Sequence, residues 1–213
     1  MIAVVDYGVG NLGSVGKAFS SLDAGVQVTS DPREVRKARA VVLPGVGAYR
    51  DAMDSLKQKG LKEPVLEAIR EGRPFLGICL GLQLLFDSSE EHAEHGDLTP
   101  GLGVFPGQVR RFEPDELPDG KLKIPHMGWN SISIQKSCPL FEGIADGTYF
   151  YFVHSYYLKA GERDVVAATT WYGRDFDAAI AAGKVYATQF HPEKSGVEGL
   201  RVLKNFIAIA QGG

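Results

Sequence analysis

Three short, almost wholly apolar runs in the first 80 residues constrain the fold more than any other feature of the chain. They cover residues 2–6, 40–45 and 74–78, and helical patterns lie between them. Strands that are buried on both faces carry such continuous apolar runs, because helices cover each face of the sheet. A further strand-like run covers residues 26–30. The first half of the chain therefore predicts an α/β fold with parallel strands.

Capping signals predict helices between these strands. Asn11 is a suitable N-cap, because apolar residues recur at helical spacing behind it. Asp31 followed by Pro32 is a second helix start, with proline at the first helical position. Further helical patterns cover residues 48–58, 63–71 and 80–86.

The pattern changes after about residue 88. Residues 88–101 are polar and without periodicity, which predicts a loop. Strand-like runs then follow one another closely, so several are expected to pair antiparallel. These runs are residues 103–112, 129–135, 148–159, 165–171, 176–182 and 184–191. An amphipathic helix is predicted over residues 197–210.

Together these patterns predict one α/β domain over residues 1–213. Its central sheet is expected to be open and mostly parallel, with helices on both faces and an antiparallel β extension. A length of 213 residues is about 1.4 times the roughly 150 residues of an average domain, which favours one large domain.

Charge and composition exclude several classes of protein. Lys plus Arg number 23 and Asp plus Glu 26, a net charge of −3, whereas nucleic-acid binders usually carry a basic excess. No apolar run approaches the roughly 20 residues that cross a bilayer, and the N-terminus lacks a signal-peptide pattern. Two cysteines, Cys79 and Cys138, fit a reducing compartment. We therefore expect a cytoplasmic protein that binds neither nucleic acid nor membrane.

The glycine-rich opening DYGVGNLGS contains Gly8, Gly10 and Gly13 at the spacing of a dinucleotide-binding turn. In that motif the glycines let the backbone approach a pyrophosphate at a helix N-terminus. The alternative is a glycine-rich strand-to-helix turn without a nucleotide. The second half of the chain lacks a repeated βαβ unit for the other nucleotide, which disfavours dinucleotide binding.

A stronger signal lies where a strand meets the next helix. Gly77 and Gly81 flank Cys79 in the sequence GICLG, which is the spacing of a nucleophile elbow with cysteine in place of serine. Small neighbours relieve the crowding of a strained turn, and a helix N-terminus favours thiolate over thiol. The Leu80 amide would then face an oxyanion. The alternative is a buried structural cysteine.

A nucleophile of this kind needs a base, and five histidines compete for that role. His191 lies at a strand end in QFHPEKSG, and Glu193 two residues later could accept its ring proton. The alternative is a strand-terminating turn. His126 and His154 fit satisfied core or turn histidines, whereas His92 and His95 lie in the polar loop, where we discount metal binding.

Gly45, Val46 and Gly47 directly follow an apolar strand. Two glycines around one residue allow a peptide to aim its N–H at a ligand, which would supply a second oxyanion donor. The alternative is an ordinary strand-to-helix turn. Because ligands bind at the carboxyl ends of parallel strands, this segment and Cys79 are expected to share an edge of the sheet.

The segments PGVGAYRDAM, GICLGLQLLF, PHMGWN, YFVHSYY and QFHPEKSG together resemble the class I glutamine amidotransferases. DYGVGNLGSV, PHMGWN and YFVHSYY are similar to one branch, the glutaminase subunits of imidazole glycerol phosphate synthases. The resemblance implies that Cys79 attacks the side-chain amide of L-glutamine, while His191, oriented by Glu193, protonates the departing ammonia. No cofactor or metal is implied.

The resemblance further implies substrate contacts at Gln83 and along the backbone at Ser155 and Tyr156. It implies a (β/α)8-barrel cyclase subunit as partner, which would use the ammonia to make imidazole glycerol phosphate and aminoimidazole carboxamide ribonucleotide. The residues implied to face that partner are Asn11, Trp129 and Lys194, whose other interpretations are a helix cap, a surface ring and a solvated lysine. The match is looser over residues 175–186, where we expect an edge strand, and Cys138 is expected to be structural.

Two other functions remain open from the residues. One is a free-standing cysteine hydrolase that cleaves γ-glutamyl or peptide bonds on the same scaffold. The other is a non-catalytic regulatory subunit, which an intact set of Cys79, His191 and Glu193 disfavours.

Overall fold

The computed structural model of the chain describes residues 1–91, 97–114 and 122–212. In these residues the strands are β1 (Ile2–Val5), β2 (Val26–Thr29), β3 (Ala40–Gly45), β4 (Phe75–Cys79), β5 (Phe86–Ser89), β6 (Thr99–Pro100), β7 (Phe105–Arg111), β8 (His126–Ser131), β9 (Ser133–Ile134), β10 (Tyr149–His154), β11 (Tyr156–Ala160), β12 (Val166–Trp171), β13 (Asp175–Ala182) and β14 (Val185–Thr188). The helices are α1 (Leu12–Ser20), α2 (Pro32–Lys37), α3 (Tyr49–Gln58), α4 (Lys62–Arg70), α5 (Leu80–Gln83) and α6 (Gly196–Gln211).

A 12-stranded sheet runs through the molecule in the order β2-β1-β3-β4-β14-β13-β11-β7-β5-β6, with β12 attached to β13 and β9 to β12. The strands from β2 to β14 pair in parallel, whereas β13 pairs antiparallel with both of its neighbours in that order. Strands β8 and β10 form a separate antiparallel pair, which we call the ribbon. The predicted α/β fold, with a mostly parallel sheet and an antiparallel extension, is confirmed.

Alternation along the buried strands explains why helices cover both faces. In β1, Ile2 and Val4 belong to one apolar layer, and Ala3 and Val5 belong to the other. The first layer includes buried residues of α1 and α6, and the second includes those of α3 and α4. Successive side chains of a strand point to opposite faces, so both faces of the parallel half need an apolar cover.

Two helix starts lie where the sequence predicts them. The Asn11 side chain accepts a hydrogen bond from the Ser14 amide at 3.4 Å at the start of α1. Asp31 accepts one from the Arg33 amide at 2.8 Å at the start of α2, with Pro32 in the first turn. These caps satisfy donors that a helix cannot satisfy internally.

The predicted helix over residues 80–86 is wrong in its length, because α5 ends at Gln83. The chain then bends, and the carbonyls of Leu84 and Leu85 accept hydrogen bonds from the amides of Leu102 and Val104, both at 2.8 Å. These tertiary contacts replace the bonds of a longer helix. Strand β5 begins directly afterwards, so the predicted loop over residues 88–101 is wrong where β5 and β6 pair with each other. His92 and His95 lie outside the described residues.

Two predictions in the second half also need correction. The run 148–159 is two strands, since the chain leaves the ribbon at Ser155 and β11 joins β7 in the main sheet. Residues 175–186 do not form an edge strand, because β13 and β14 lie in the middle of the sheet. β4 pairs with β14 on the side opposite β3, so these strands bring the end of the chain beside the strand of Cys79.

Candidate active site

Cys79 is the last residue of β4 and adopts φ 54° and ψ −107°, which a residue with a side chain rarely adopts. The flanking glycines make this bend possible. A β-carbon at Gly77 would lie 2.7 Å from the Gly81 carbonyl oxygen, and one at Gly81 would overlap the carbonyl oxygen of Leu43. The G-x-C-x-G spacing is therefore a packing requirement, and the backbone strain is concentrated at Cys79.

The prediction that a helix N-terminus favours the Cys79 thiolate depends on the length of α5. That helix has four residues, so only one turn of aligned peptide dipoles faces Cys79. Polar side chains also contribute to the electrostatic environment of the Cys79 sulfur. The Gln189 side-chain amide donates to the Cys79 sulfur at 3.6 Å, and Gln189 is fully buried.

His191 and Glu193 form a buried pair beside this thiol. Nδ1 of His191 lies 2.8 Å from Oε1 of Glu193, and their side chains are 2% and 0% exposed. An ionised carboxylate only accepts hydrogen bonds, so Nδ1 carries the hydrogen and Nε2 is left for the sulfur. Within the described residues, Nε2 makes no hydrogen bond.

The charges around the ring determine its protonation. Burial alone would lower the pKa of His191, but the Cys79 sulfur and the Glu193 carboxylate together outweigh it and raise the pKa to about 10. An opposite charge in a site of low dielectric favours the charged imidazolium. His191 therefore holds a second proton at neutral pH.

Strand β10 of the ribbon holds the backbone of His191. The His191 amide donates to the Tyr151 carbonyl at 2.9 Å. The Ser195 hydroxyl donates to the His191 carbonyl at 2.6 Å and accepts from the Tyr151 amide at 2.9 Å. These bonds hold the HPEKS turn against the ribbon, so the sheet and the ribbon together position the His191 ring.

Gln83 lies in the same hydrogen-bond network, not free in the cavity. Its side-chain nitrogen donates to Oε1 of Gln189 at 2.9 Å and to the Tyr156 carbonyl at 3.0 Å. Both amide hydrogens of Gln83 are therefore used inside the protein. Sequence reasoning missed Gln189, although it lies only two residues before His191 in QFHPE.

A cavity of about 400 Å³ opens beside the thiol. It brings together residues predicted for the oxyanion and the substrate, and its lining includes Val46, Gly47, Cys79, Leu80, Gln83, Ser155 and Tyr156. Glu91 is also part of the lining and was missed, because the sequence predicts only a polar loop there. Its carboxylate accepts a hydrogen bond from the Tyr49 amide at 2.6 Å, at the start of α3.

His191 lines a different recess from the cavity that Cys79 lines. His191 and Glu193 border a small crevice together with Asn11, Gly45 and Val46. Because Val46 borders both recesses, the Gly45–Gly47 segment lies between them. The structure therefore places Asn11, a predicted partner residue, next to the base.

A buried pair of histidines supports the cavity wall. His154 donates from Nδ1 to the Tyr156 carbonyl at 2.7 Å, so its Nε2 accepts from Nδ1 of His126 at 2.9 Å. The remaining nitrogen of His126 then accepts from Asn130 at 3.3 Å. Burial lowers the pKa of His126 to about 4 and that of His154 to about 3. Both rings are therefore neutral, and the core-histidine interpretation fits them.

The outer face of the ribbon is apolar and exposed. Met127, Trp129 and Tyr149 are 63%, 54% and 60% exposed. Trp129 meets the Tyr151 ring edge-on, and the Lys194 ammonium lies 5.8 Å from the centre of that ring. Trp129 and Lys194 therefore belong to one surface, which we call the ribbon face.

Other predicted features have simple outcomes. Both cysteines are free, and Cys138 is half-buried against the core. In the described ranges there is no group of three or more His, Cys, Asp or Glu residues that could hold a metal ion. None of the helices described here is long and apolar enough to span a membrane.

Known proteins resemble this chain over nearly its whole length. Residues 3–210 match the family model described as glutamine amidotransferase class-I. The chain is 54% identical to the imidazole glycerol phosphate synthase subunit HisH of Syntrophotalea carbinolica, over 97% of this chain and 98% of that protein. It is 52% identical to the protein of the same name from Geobacter sulfurreducens, over 96% and 97% of the two chains. A solved structure described as a glutamine amidotransferase covers 99% of this chain and 100% of its own, with a TM-score of 0.73 at 19% identity, which concerns the fold alone.

Proposed function

Because the chain belongs to the class I glutamine amidotransferases, we propose that Cys79, His191 and Glu193 hydrolyse L-glutamine to glutamate and ammonia. The observation that carries this proposal is the strained backbone of Cys79 beside a buried, carboxylate-oriented His191. Nucleophile, base and orienting group are the three parts that covalent acyl transfer needs. Their order along this chain is irrelevant, because geometry defines a triad.

In the first half of the reaction the Cys79 thiolate attacks the side-chain carbonyl carbon of glutamine. The carbonyl oxygen becomes an oxyanion, and the amides of Leu80 and of the Gly45–Gly47 segment bind it. His191 gives its Nε2 proton to the amide nitrogen, which leaves as ammonia. The Nδ1 hydrogen bond to Glu193 keeps the ring in the tautomer that this transfer needs.

In the second half water attacks the glutamyl thioester. His191, now neutral, accepts a proton from that water, and the C–S bond breaks to release glutamate and restore the thiolate. The low exposure of His191 and Glu193 supports these proton transfers, because charge interactions are stronger in a site of low dielectric.

The lining of the cavity supports a glutamine-sized substrate. The Glu91 carboxylate suits an α-ammonium group, and backbone groups at Ser155 and Tyr156 suit the α-carboxylate. The Tyr156 carbonyl already accepts from Gln83 and His154, so both its lone pairs are used. A carboxylate needs hydrogen-bond donors, so the backbone N–H groups of this segment are the groups that suit it.

We further propose that this chain is the glutaminase subunit of an imidazole glycerol phosphate synthase and passes its ammonia to a (β/α)8-barrel cyclase subunit. The relatives above carry that synthase name. The ribbon face supports a partner surface, since large exposed apolar side chains cluster where proteins dock. Asn11, next to the base in the crevice, and Lys194, on the ribbon face, would adjoin the same partner.

The test is release of glutamate from L-glutamine by the purified chain, with and without the cyclase subunit and its ribonucleotide substrate. We expect little release by the chain alone and much more in the complex. Fast turnover by the isolated chain would favour a free-standing hydrolase. Absence of turnover in every condition would leave only a non-catalytic subunit.

Cys79→Ser tests the nucleophile directly. We expect glutamine-dependent turnover to fall about a thousandfold or more, while added ammonium salts still feed the cyclase. Cys138→Ser is the matched control, because it removes the other free thiol at a site far along the chain, and it should leave the rate nearly unchanged. Full glutamine use by Cys79→Ser would refute the assignment.

A further inference from the structure

Tyr7 lies in the glycine-rich opening segment, yet it is a fully buried side chain. It follows β1 by two residues, and its own carbonyl accepts a hydrogen bond from the Ser55 hydroxyl of α3. The backbone of this first turn is therefore tied to the helix that follows the Gly45–Gly47 segment. Neither the nucleotide interpretation of the segment nor the proposed reaction gives the Tyr7 side chain a role.

The Tyr7 hydroxyl donates a hydrogen bond to the carbonyl of Pro44 at 2.8 Å. This carbonyl needs a donor, because the pairing of β1 with β3 ends at Val4 and Val42. Pro44 lies two residues beyond that last pair, where β1 no longer offers backbone amides. A buried carbonyl without a donor is costly, and the tyrosine side chain replaces the missing strand.

The Tyr7 hydroxyl also packs against Gly45, the first residue of the segment that is proposed to bind the oxyanion. A β-carbon at Gly45 would overlap the Tyr7 hydroxyl oxygen and would lie 2.9 Å from the β-carbon of Leu80. Gly45 is also the register partner of Cys79 across β3 and β4. The hydroxyl, Gly45 and Leu80 therefore meet in one contact beside the thiol.

The hydroxyl remains a donor over the whole working range of pH. Burial, and then the charge of Cys79, raise the pKa of Tyr7 far above its usual range. Glycines flank Val46 in the segment that it holds, and because glycine allows a peptide to rotate at low cost, the segment's own backbone restrains its amides little.

We propose that Tyr7 is a positioning residue, whose hydroxyl fixes the Pro44 carbonyl and thereby holds the Gly45–Gly47 amides in the orientation that binds the oxyanion. This proposal rests on the proposed glutaminase function and assigns one more residue to it. Tyr7 does not line the cavity beside the thiol. It acts only through Pro44 and Gly45, so its loss affects the transition state more than the bound substrate.

Tyr7→Phe is the test, because it removes one oxygen and keeps the ring. The full chain is assayed for glutamine hydrolysis alone and with the cyclase subunit. Loss of one direct oxyanion donor costs about a hundredfold to a thousandfold in kcat. Looser positioning of such a donor should therefore lower kcat by about tenfold to a hundredfold, with KM changed by less than about twofold.

Two probes separate positioning of the amides from damage to the thiol. L-glutamate γ-semialdehyde binds as the Cys79 S–H adds across its aldehyde C=O, and the hemithioacetal oxygen then lies at the oxyanion position. Its affinity should fall about tenfold in Tyr7→Phe. The rate at which iodoacetamide alkylates Cys79 needs no oxyanion donor and should stay within about twofold of the parent. Tyr186→Phe is the control, as a buried tyrosine on β14 of the main sheet.

Unchanged kcat and unchanged semialdehyde affinity would overturn the proposal. So would a parallel fall in kcat and in alkylation rate, because the hydroxyl would then act on the sulfur or on folding. A parent chain that fails to hydrolyse glutamine even with the cyclase subunit would refute the proposed function instead. The semialdehyde and alkylation measurements would still compare Tyr7→Phe with the parent.

Discussion

At the scale of single residues, the absence of a β-carbon shapes the site as much as any reactive group. Gly81 lets α5 approach β3 so closely that its Cα lies against the Leu43 carbonyl. Cys79 keeps a positive φ because that contact and the one at Gly77 hold the bend. A strained residue persists only where its surroundings overdetermine it.

Gly81→Ala should therefore destabilise the protein by about 3 kcal/mol or more, since backbone must move to admit the new carbon. The measurement is the free energy of unfolding in urea, together with the rate of alkylation of Cys79. Gly13→Ala is the matched control, because nothing lies within 4 Å of a β-carbon there and Gly13 is inside α1. That substitution should leave stability equal or raise it by about 0.5–1 kcal/mol. Equal losses in the two variants would contradict the packing argument.

At the scale of elements, the ribbon has two faces of opposite character. Pleating turns His126 and Asn130 inward with Phe150 and Phe152, and it turns Trp129 outward with Tyr151. The inner face carries the neutral histidine pair, and Tyr151 in the middle of β10 makes the backbone bonds that hold His191 and Ser195. One small element therefore joins the cavity wall, the base and the exposed surface.

The neutral histidine pair predicts a loss of stability in mild acid. The folded-state pKa values of His126 and His154, about 4 and about 3, lie below the unfolded value of about 6.5. At pH values between the folded and the unfolded pKa, these two rings bind more protons in the unfolded chain than in the folded one. The stability that the pair contributes is therefore fully present above about pH 6.5 and is lost as the pH falls. For each ring, the free energy of unfolding can fall by at most about 1.4 kcal/mol per pH unit.

The measurement is the free energy of unfolding between pH 7 and pH 5, for the parent and for His126→Gln. The variant has lost one of the two rings, so its stability should fall less steeply over this range. His191 acts in the opposite direction in the upper part of this window, because its raised pKa keeps the folded ring protonated while the unfolded ring loses its proton around pH 6.5. Both proteins retain His191, so the difference between their two curves reports the neutral histidine pair. Parallel curves for the two proteins would contradict the prediction.

At the scale of the whole molecule, the catalytic edge of the sheet and the ribbon face adjoin. The crevice that His191 and Glu193 border also contains Asn11, and Lys194 lies over Tyr151 of the ribbon. A partner bound to the ribbon face would thus cover the side of the base that faces away from the glutamine cavity. This arrangement fits the proposed transfer of ammonia to a partner subunit.

Trp129→Ala should weaken binding of the cyclase subunit by about 2 kcal/mol, roughly a thirtyfold rise in Kd, because exposed tryptophans are frequent interface hot spots. The free energy of unfolding of the isolated chain should hardly change, since the ring is 54% exposed. Titration calorimetry with the purified cyclase subunit measures the effect. Trp171→Ala is the control, as a tryptophan of similar exposure on β12. Equal losses of affinity would remove the specific role of Trp129.

Local sequence was sufficient for several features. The apolar runs at β1, β3 and β4 predicted buried parallel strands, and Asn11 and Asp31 predicted two helix starts. The glycines around Cys79 predicted the bend at the end of β4. Each of these depends on neighbours along the chain, through side-chain periodicity, capping or steric exclusion.

Only the tertiary structure decided the rest, because the responsible contacts join residues that are distant in sequence. The early end of α5, the central place of β13 and β14, and the break at Ser155 all follow from strand pairing across the sheet. The contacts of Gln189 with the thiol and of Tyr7 with Pro44 span 110 and 37 residues. The sequence alone specified the reactive groups and the glycines that allow the strained backbone of Cys79. The long-range packing determined which polar groups surround that thiol.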